Sequence, residues 1–185
     1  MKKLILSALM TLVSTQVFAQ VVFAPGIGYY DKSVEATEPA ATERTSKETR
    51  ADLKLGYVLP MGLYLGGMYS MIDGEDCTSA SNCNEVNGFL VGPSIGYHSL
   101  TGFYAIFTYN ILGESDLGNN NKLTGAQGPQ VDLGWIFPLT SYFGIGPQIT
   151  YRSIEYDKLE TTALTQDTDT KETSIAPYVS LWFMF

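Results

Sequence analysis

The strongest constraint on this chain is a rhythm: apolar residues recur at every second position, segment after segment, up to the last residue. In the final stretch, Ala176 to Phe185, one set is Val179, Leu181, Phe183 and Phe185; the other is Tyr178, Ser180, Trp182 and Met184. Period 2 is the signature of a β-strand with one greasy face. Chain ends fray unless something holds them. A strand that stops on a bare phenylalanine therefore needs a sheet to pair with and an apolar medium to face. A closed sheet in lipid supplies both. On this stretch alone, the last core strand of a soluble β-sandwich is the competing reading.

The rest of the chain repeats the pattern, with linkers that alternate long and short. Strands are expected over roughly Val22 to Lys32, Thr49 to Leu59, Leu63 to Ile72, Val86 to His98, Phe103 to Leu112, Gly125 to Phe137, Tyr142 to Ile154, and Ala176 to Phe185. Short turns fall at Pro60-Met61-Gly62, Ser99 to Gly102 and Pro138 to Ser141. Long polar linkers cover Ser33 to Glu48, the cysteine-containing run after Ile72, Gly113 to Lys122 and Glu155 to Lys171. Eight strands, three short turns on one side and four long loops on the other predict an all-β fold, an eight-stranded antiparallel up-and-down transmembrane β-barrel. Each strand has the length a tilted span requires.

Polarity separates this from a soluble barrel, which keeps its apolar residues inside. Leu53, Leu55 and Tyr57 share one face of their strand, and Asp52, Lys54 and Gly56 the other. Phe89, Val91, Ile95 and Tyr97 oppose Gly88, Gly92, Ser94, Gly96 and His98; Val131, Leu133, Trp135 and Phe137 oppose Gln130, Asp132 and Gly134. The bulky apolar face is continuous, and the other is polar or small, as the crowded interior of eight strands demands. A lipid-facing charge costs about 2–4 kcal/mol at the membrane midplane, so the polar face points inward. Aromatics cluster near both strand ends as two girdles: Phe23, Tyr57, Tyr64, Tyr97, Phe103, Trp135, Phe137, Phe143, Phe183 and Phe185 at one, Tyr29, Tyr69, Phe89, Tyr109, Tyr151 and Tyr156 at the other.

The first residues read as an export signal: basic Lys2 and Lys3, apolar Leu4 to Val13, and Val17-Phe18-Ala19 before a cleavage site. Residues 1–19 are expected to be removed, leaving 20–185 as one barrel domain. The formal net charge of -8 becomes -10 without the two lysines, which excludes nucleic acid as a partner. In an oxidising compartment Cys77 and Cys83, six residues apart in a polar run, are expected to form a disulfide.

One weak repeat conflicts with regular strands. Ala24-Pro25-Gly26-Ile27-Gly28-Tyr29, Gly92-Pro93-Ser94-Ile95-Gly96-Tyr97 and Gly146-Pro147-Gln148-Ile149-Thr150-Tyr151 match closely; Gly128-Pro129-Gln130-Val131 and Ala176-Pro177-Tyr178-Val179 match loosely. Proline lacks a ladder donor, so a local bulge is expected at each step. With the end strand and the hairpin rhythm, this wording is similar to small bacterial outer-membrane barrels of the OmpA-transmembrane, Ail/OmpX and OmpW kind. The end strand also resembles the signal by which the outer-membrane assembly machinery recognises its clients. The resemblance implies a bacterial outer-membrane location, contact with membrane lipid and lipopolysaccharide, recognition by that machinery through the strand ending in Phe185, and a monomer.

Little in the sequence points to chemistry. No cofactor, metal cluster or nucleophile motif stands out. The lone histidine, His98, precedes Ser99, but adjacent strand residues face opposite ways, and the pair lies at the end away from lipid A; no catalytic residue is assigned. The inward polar set is Asp52, Lys54, Gln130, Asp132, Gln148, Thr150 and Arg152, expected as a hydrogen-bonded, ion-paired plug because buried charges must be paired. Counting through the 138–141 turn puts Asp132 across from Gln148, and Arg152 near Gly128. The first and last long loops, with Glu35, Glu38, Glu43, Arg44, Lys47 and Glu48, and with Glu155, Asp157, Lys158, Glu160, Asp167, Asp169, Lys171 and Glu172, are expected to be solvated and mostly acidic. The expected function is a non-enzymatic envelope barrel with a packed polar interior and four surface loops. A narrow channel for small solutes, including hydrophobic ones, is the alternative, and a lipid A-modifying enzyme comes third.

Overall fold

The computed structural model describes the backbone of residues 19–36, 42–79, 82–118, 121–161 and 164–185, with side chains over 19–29, 48–74, 85–118, 121–161 and 164–185. Apart from Ala19, the expected export signal lies outside these residues. The strands are β1 Gln20–Ala36, β2 Thr42–Val58, β3 Leu63–Ser79, β4 Asn82–His98, β5 Phe103–Asn110, β6 Leu112–Asp116, β7 Lys122–Thr124, β8 Gly128–Trp135, β9 Phe137–Pro138, β10 Phe143–Glu160 and β11 Thr165–Met184. β5 and β6 form one traverse of the wall and β7, β8 and β9 the next, so the wall is crossed eight times. Every pairing is antiparallel, and β11 closes onto β1.

The barrel is inside-out, as the alternation requires. Ile27, Leu55, Ile95, Leu133, Ile149 and Val179 are about half exposed on the outer wall, while Asp52, Lys54, Gln130 and Asp132 are buried within. Two supposed girdle residues belong inside: Tyr64 and Tyr156 are 0% and 1% exposed. Both stand at even positions, in step with the inward residues of β3 and β10.

Three of the four long linkers are largely strand. β1 runs to Ala36 and β2 starts at Thr42; β3 and β4 pair as far as Ser79↔Asn82; β10 and β11 pair to Glu160↔Thr165. Above the apolar belt, which on β1 ends at Tyr29, about seven residues of that strand continue, roughly 20 Å along its direction. Beyond the belt apolar alternation no longer marks the strand, although threonine-rich composition suits it. The Gly113 to Lys122 loop likewise contains the paired ends of β6 and β7. In the β3–β4 register Cys77 stands directly opposite Cys83.

The bulge expected at each proline is present at one step only. Between β4 and β5–β6 the register moves by one residue, from Ser94↔Thr108 to Val91↔Leu112, beside Pro93. At Pro25, Pro129, Pro147 and Pro177 the register does not shift. Pairing continues through each on one side, with Pro25↔Leu53, Tyr109↔Pro129, Pro147↔Val179 and Ile149↔Pro177. A strand residue aims its N–H at one neighbour only, so a proline deletes a donor on one side and leaves the other ladder whole. The interrupted sides coincide. Pro25 and Pro177 both border β1–β11, Pro129 and Pro147 both border β8–β10, and Pro93 borders β4–β5. The wall thus has three panels, β1–β4, β5–β8 and β10–β11, with all five prolines on the seams between them; the register shifts inside the panels lie near the hairpin ends, at Cys77/Ser79 and Tyr156/Lys158.

Candidate functional site

The lumen is the only enclosed environment the described wall creates, and its contents form storeys. At the end bearing the short turns, Val22, Ala24, Val58, Tyr64, Tyr104, Ile106, Ile136 and Trp182 make a buried apolar cluster, with Met184 packed against it. Trp182 is its centre: its ring lies 4.8 Å from Tyr104, 5.0 Å from His98 and 6.4 Å from Tyr64. Glycine makes room for these rings. A Cβ on Gly56 would stand 2.5 Å from the Leu65 carbonyl oxygen and 2.8 Å from the Tyr64 ring.

The middle storey is ionic. Lys54 Nζ lies 3.0 Å from Asp132 Oδ2 and donates to Gln148 Oε1 at 3.3 Å. Arg152 Nη2 donates to both Asp52 oxygens at 3.1 Å, and its Nε to Gln130 Oε1 at 2.7 Å. Gln130 Nε2 bridges the two pairs, donating to Asp52 Oδ2 at 3.2 Å and Asp132 Oδ1 at 3.0 Å. Asp132 Oδ1 also accepts from Thr150 Oγ1 at 2.7 Å and Gln148 Nε2 at 3.2 Å, and Asp52 Oδ1 accepts from Ser70 Oγ at 2.5 Å. Two carboxylates meet two cations, so the layer is neutral, and its amides and hydroxyls occupy the remaining lone pairs.

All seven residues of the expected inward polar set thus lie in this one layer, but the expected register is two residues off. Asp132 faces Thr150, Gln148 faces Gly134, and Arg152 faces Gln130. The turn is centred one residue later than expected because Tyr142, 65% exposed, belongs to the turn and β10 begins at Phe143.

A second ionic storey lies above and was missed. Arg50 donates through Nε to Glu48 Oε2 at 3.0 Å and through Nη2 to Glu172 Oε2 at 3.4 Å, with the Tyr156 hydroxyl 3.5 Å from the same Glu172 oxygen. Glu48 and Glu172, expected among solvated loop residues, are 1% and 4% exposed. Parity held the signal, since Glu48, Arg50, Asp52 and Lys54 are successive inward positions of one strand. A further apolar cluster, Ile72, Leu90, Leu123, Ala126, Ile154 and Tyr156, with Leu117 and Leu159 against it, fills the upper lumen. The β6–β7 hairpin and the following Gly125-Ala126 step supply three of these side chains; Gly125 has φ +74°, a left-handed conformation that suits glycine.

His98 and Ser99 do not form a catalytic pair. The Ser99 hydroxyl bonds Thr101 Oγ1 at 2.9 Å, and the His98 ring lies 5.0 Å from that of Trp182, tilted by 31°.

No family model matches the sequence, and no curated protein matches it. Among solved structures, the chain is similar to Neisserial surface protein A, with 13% identity, TM-score 0.51, and coverage of 90% of this chain and 97% of that one. It is also similar to Ail, the attachment invasion locus protein of Yersinia pestis, in complex with the heparin analogue sucrose octasulfate, with 10% identity, TM-score 0.51, and coverage of 89% of this chain and 99% of that one. The chain has the fold of the small eight-stranded outer-membrane β-barrels.

Proposed function

We propose that the chain is a non-enzymatic outer-membrane barrel whose lumen is sealed and whose work is done by its surface hairpins. One observation carries this reading: two ionic storeys, with every charge facing an opposite one, pack the described interior together with two apolar clusters. Eight strands leave room for little else. The protein is exported by its first 19 residues, stands as a monomer in outer-membrane lipid and lipopolysaccharide, and reaches it through the assembly machinery. Support for that last step comes from the end of β11, where the next residue, Phe185, is held by backbone bonds in both directions to Val21, of 3.0 and 2.9 Å. Cys77 and Cys83 close a disulfide across the β3–β4 hairpin, an assignment their facing positions favour.

The hairpins present mostly negative charge. Glu155, Asp157, Glu160, Asp167 and Asp169 are exposed. The similar Ail structure holds a sulfated saccharide, but an acidic crown opposes such an anion, so we read this surface as one for cationic or divalent-bridged partners. Planar bilayer recording tests the sealed lumen. Silent insertion is expected; steady discrete openings would favour the narrow-channel alternative and defeat this reading.

A further inference from the structure

The short-turn end of the barrel holds a pocket of about 440 Å³ between the β2–β3 turn, the end of β4 and the end of β11. The chain's single histidine and two of its methionines, His98, Met61 and Met184, all line it. These residues are far apart in sequence, so no ligand spacing announces them; barrel closure brings them to one mouth. The His98 backbone N–H donates to the Gly62 carbonyl at 2.7 Å, which sets the Met61 turn beside the histidine. Met184 arrives from the opposite side of the ring, two residues beyond Trp182, whose indole lies 5.0 Å from the His98 ring. His98 Nε2 is buried and finds no hydrogen-bond partner among the described residues. A buried polar atom without a partner is uncommon and calls for an explanation.

The geometry points to a binding site for a soft monovalent cation, Cu(I) or Ag(I), held by the His98 imidazole and the Met61 and Met184 thioethers. The donor set selects this class. Thioethers and a neutral imidazole suit Cu(I), whereas calcium and magnesium require several oxygens. Zinc sites draw on Cys, His, Asp and Glu, and no carboxylate or cysteine lines the pocket. The sulfurs of Met68 and Met71 are internal controls, since Met68 is buried in the lumen and Met71 faces outward.

Ag(I), which undergoes no redox change here, is the probe. The whole barrel, refolded in chloride-free detergent micelles and carrying Cys77→Ser and Cys83→Ser to remove thiol binding, is titrated calorimetrically and by NMR of methionine methyl groups. One equivalent should bind, moving the Met61 and Met184 methyl signals and leaving those of Met68 and Met71. Met61→Leu and Met184→Leu, which keep the apolar volume, should each weaken binding at least tenfold, and His98→Asn more. Absence of saturable binding, or binding that survives both leucine variants, overturns the site.

Discussion

Removal of one cation from the middle storey is the most direct test of how this barrel is held. Arg152→Met keeps much of the side-chain volume but deletes the guanidinium, whose Nη2 is 3.1 Å from both oxygens of a fully buried Asp52. At 3.1 Å two unit charges attract by about 5 kcal/mol at an effective dielectric near 20. Removing one member of a buried pair costs about 3–5 kcal/mol in practice, because the other stays behind uncompensated. Lys54 does not fill the gap, since its Nζ is engaged 3.0 Å away by Asp132. Arg152→Met should therefore lose about 3–5 kcal/mol. Asp52→Leu combined with Arg152→Met should lose less than the sum of the single changes by about 2 kcal/mol, the coupling of a contacting pair. It should not recover fully, because the Ser70 and Gln130 donors then lack their shared acceptor. Urea unfolding and refolding in phospholipid vesicles, followed by tryptophan fluorescence and heat-modifiable gel mobility, measures all three. A single-variant loss below about 1 kcal/mol, the scale of an exposed pair, would refute the reasoning, as would strict additivity.

Leu133→Arg, on the outer wall at 47% exposure, should destabilise the folded barrel by about 2–4 kcal/mol in the same vesicles if the residue sits near the midplane; an unchanged midpoint would remove that wall from the lipid. Brominated acyl chains should quench Trp135, which is 41% exposed, and spare Trp182, which is 0% exposed; Trp182→Phe should keep the quenching and Trp135→Phe abolish most of it. Maleimide should leave Cys77 and Cys83 unlabelled until reductant is added, and reduction should loosen the β3–β4 hairpin by about 2 kcal/mol; immediate labelling of the folded, unreduced protein contradicts the bridge.

The facing of nearly every residue within the membrane was legible, because lipid outside and a crowded lumen inside impose opposite demands on alternate positions. Leu53, Leu55 and Tyr57 could lie only outward, and Asp52 and Lys54 only inward. Legibility ended where that contrast ends. Above the belt Glu48 and Glu172 read as solvated because nothing in their neighbours says the wall continues; only strand parity, carried past the last greasy residue, places them beside Arg50. The upper apolar cluster was hidden for the converse reason, since Leu117, Leu123 and Ala126 come from a stretch dominated by asparagine and glycine. Prolines misled by appearing to demand bulges, when each withholds a donor from one neighbour only. The convergence of His98 with Met61 and Met184 depends on ring closure, which no local pattern encodes.

Those prolines have a mechanical consequence. A hoop interrupted along three lines does not flex evenly: it gives at its joints and stays stiff between them. Lateral pressure or a change in bilayer thickness should be taken up where β11 meets β1, β4 meets β5 and β8 meets β10. Amides along those lines should exchange with solvent deuterium sooner than amides at the same depth inside a panel. The motif that recurs along the chain would then be a set of expansion joints, its five prolines shared among the three lines where the cylinder is allowed to breathe.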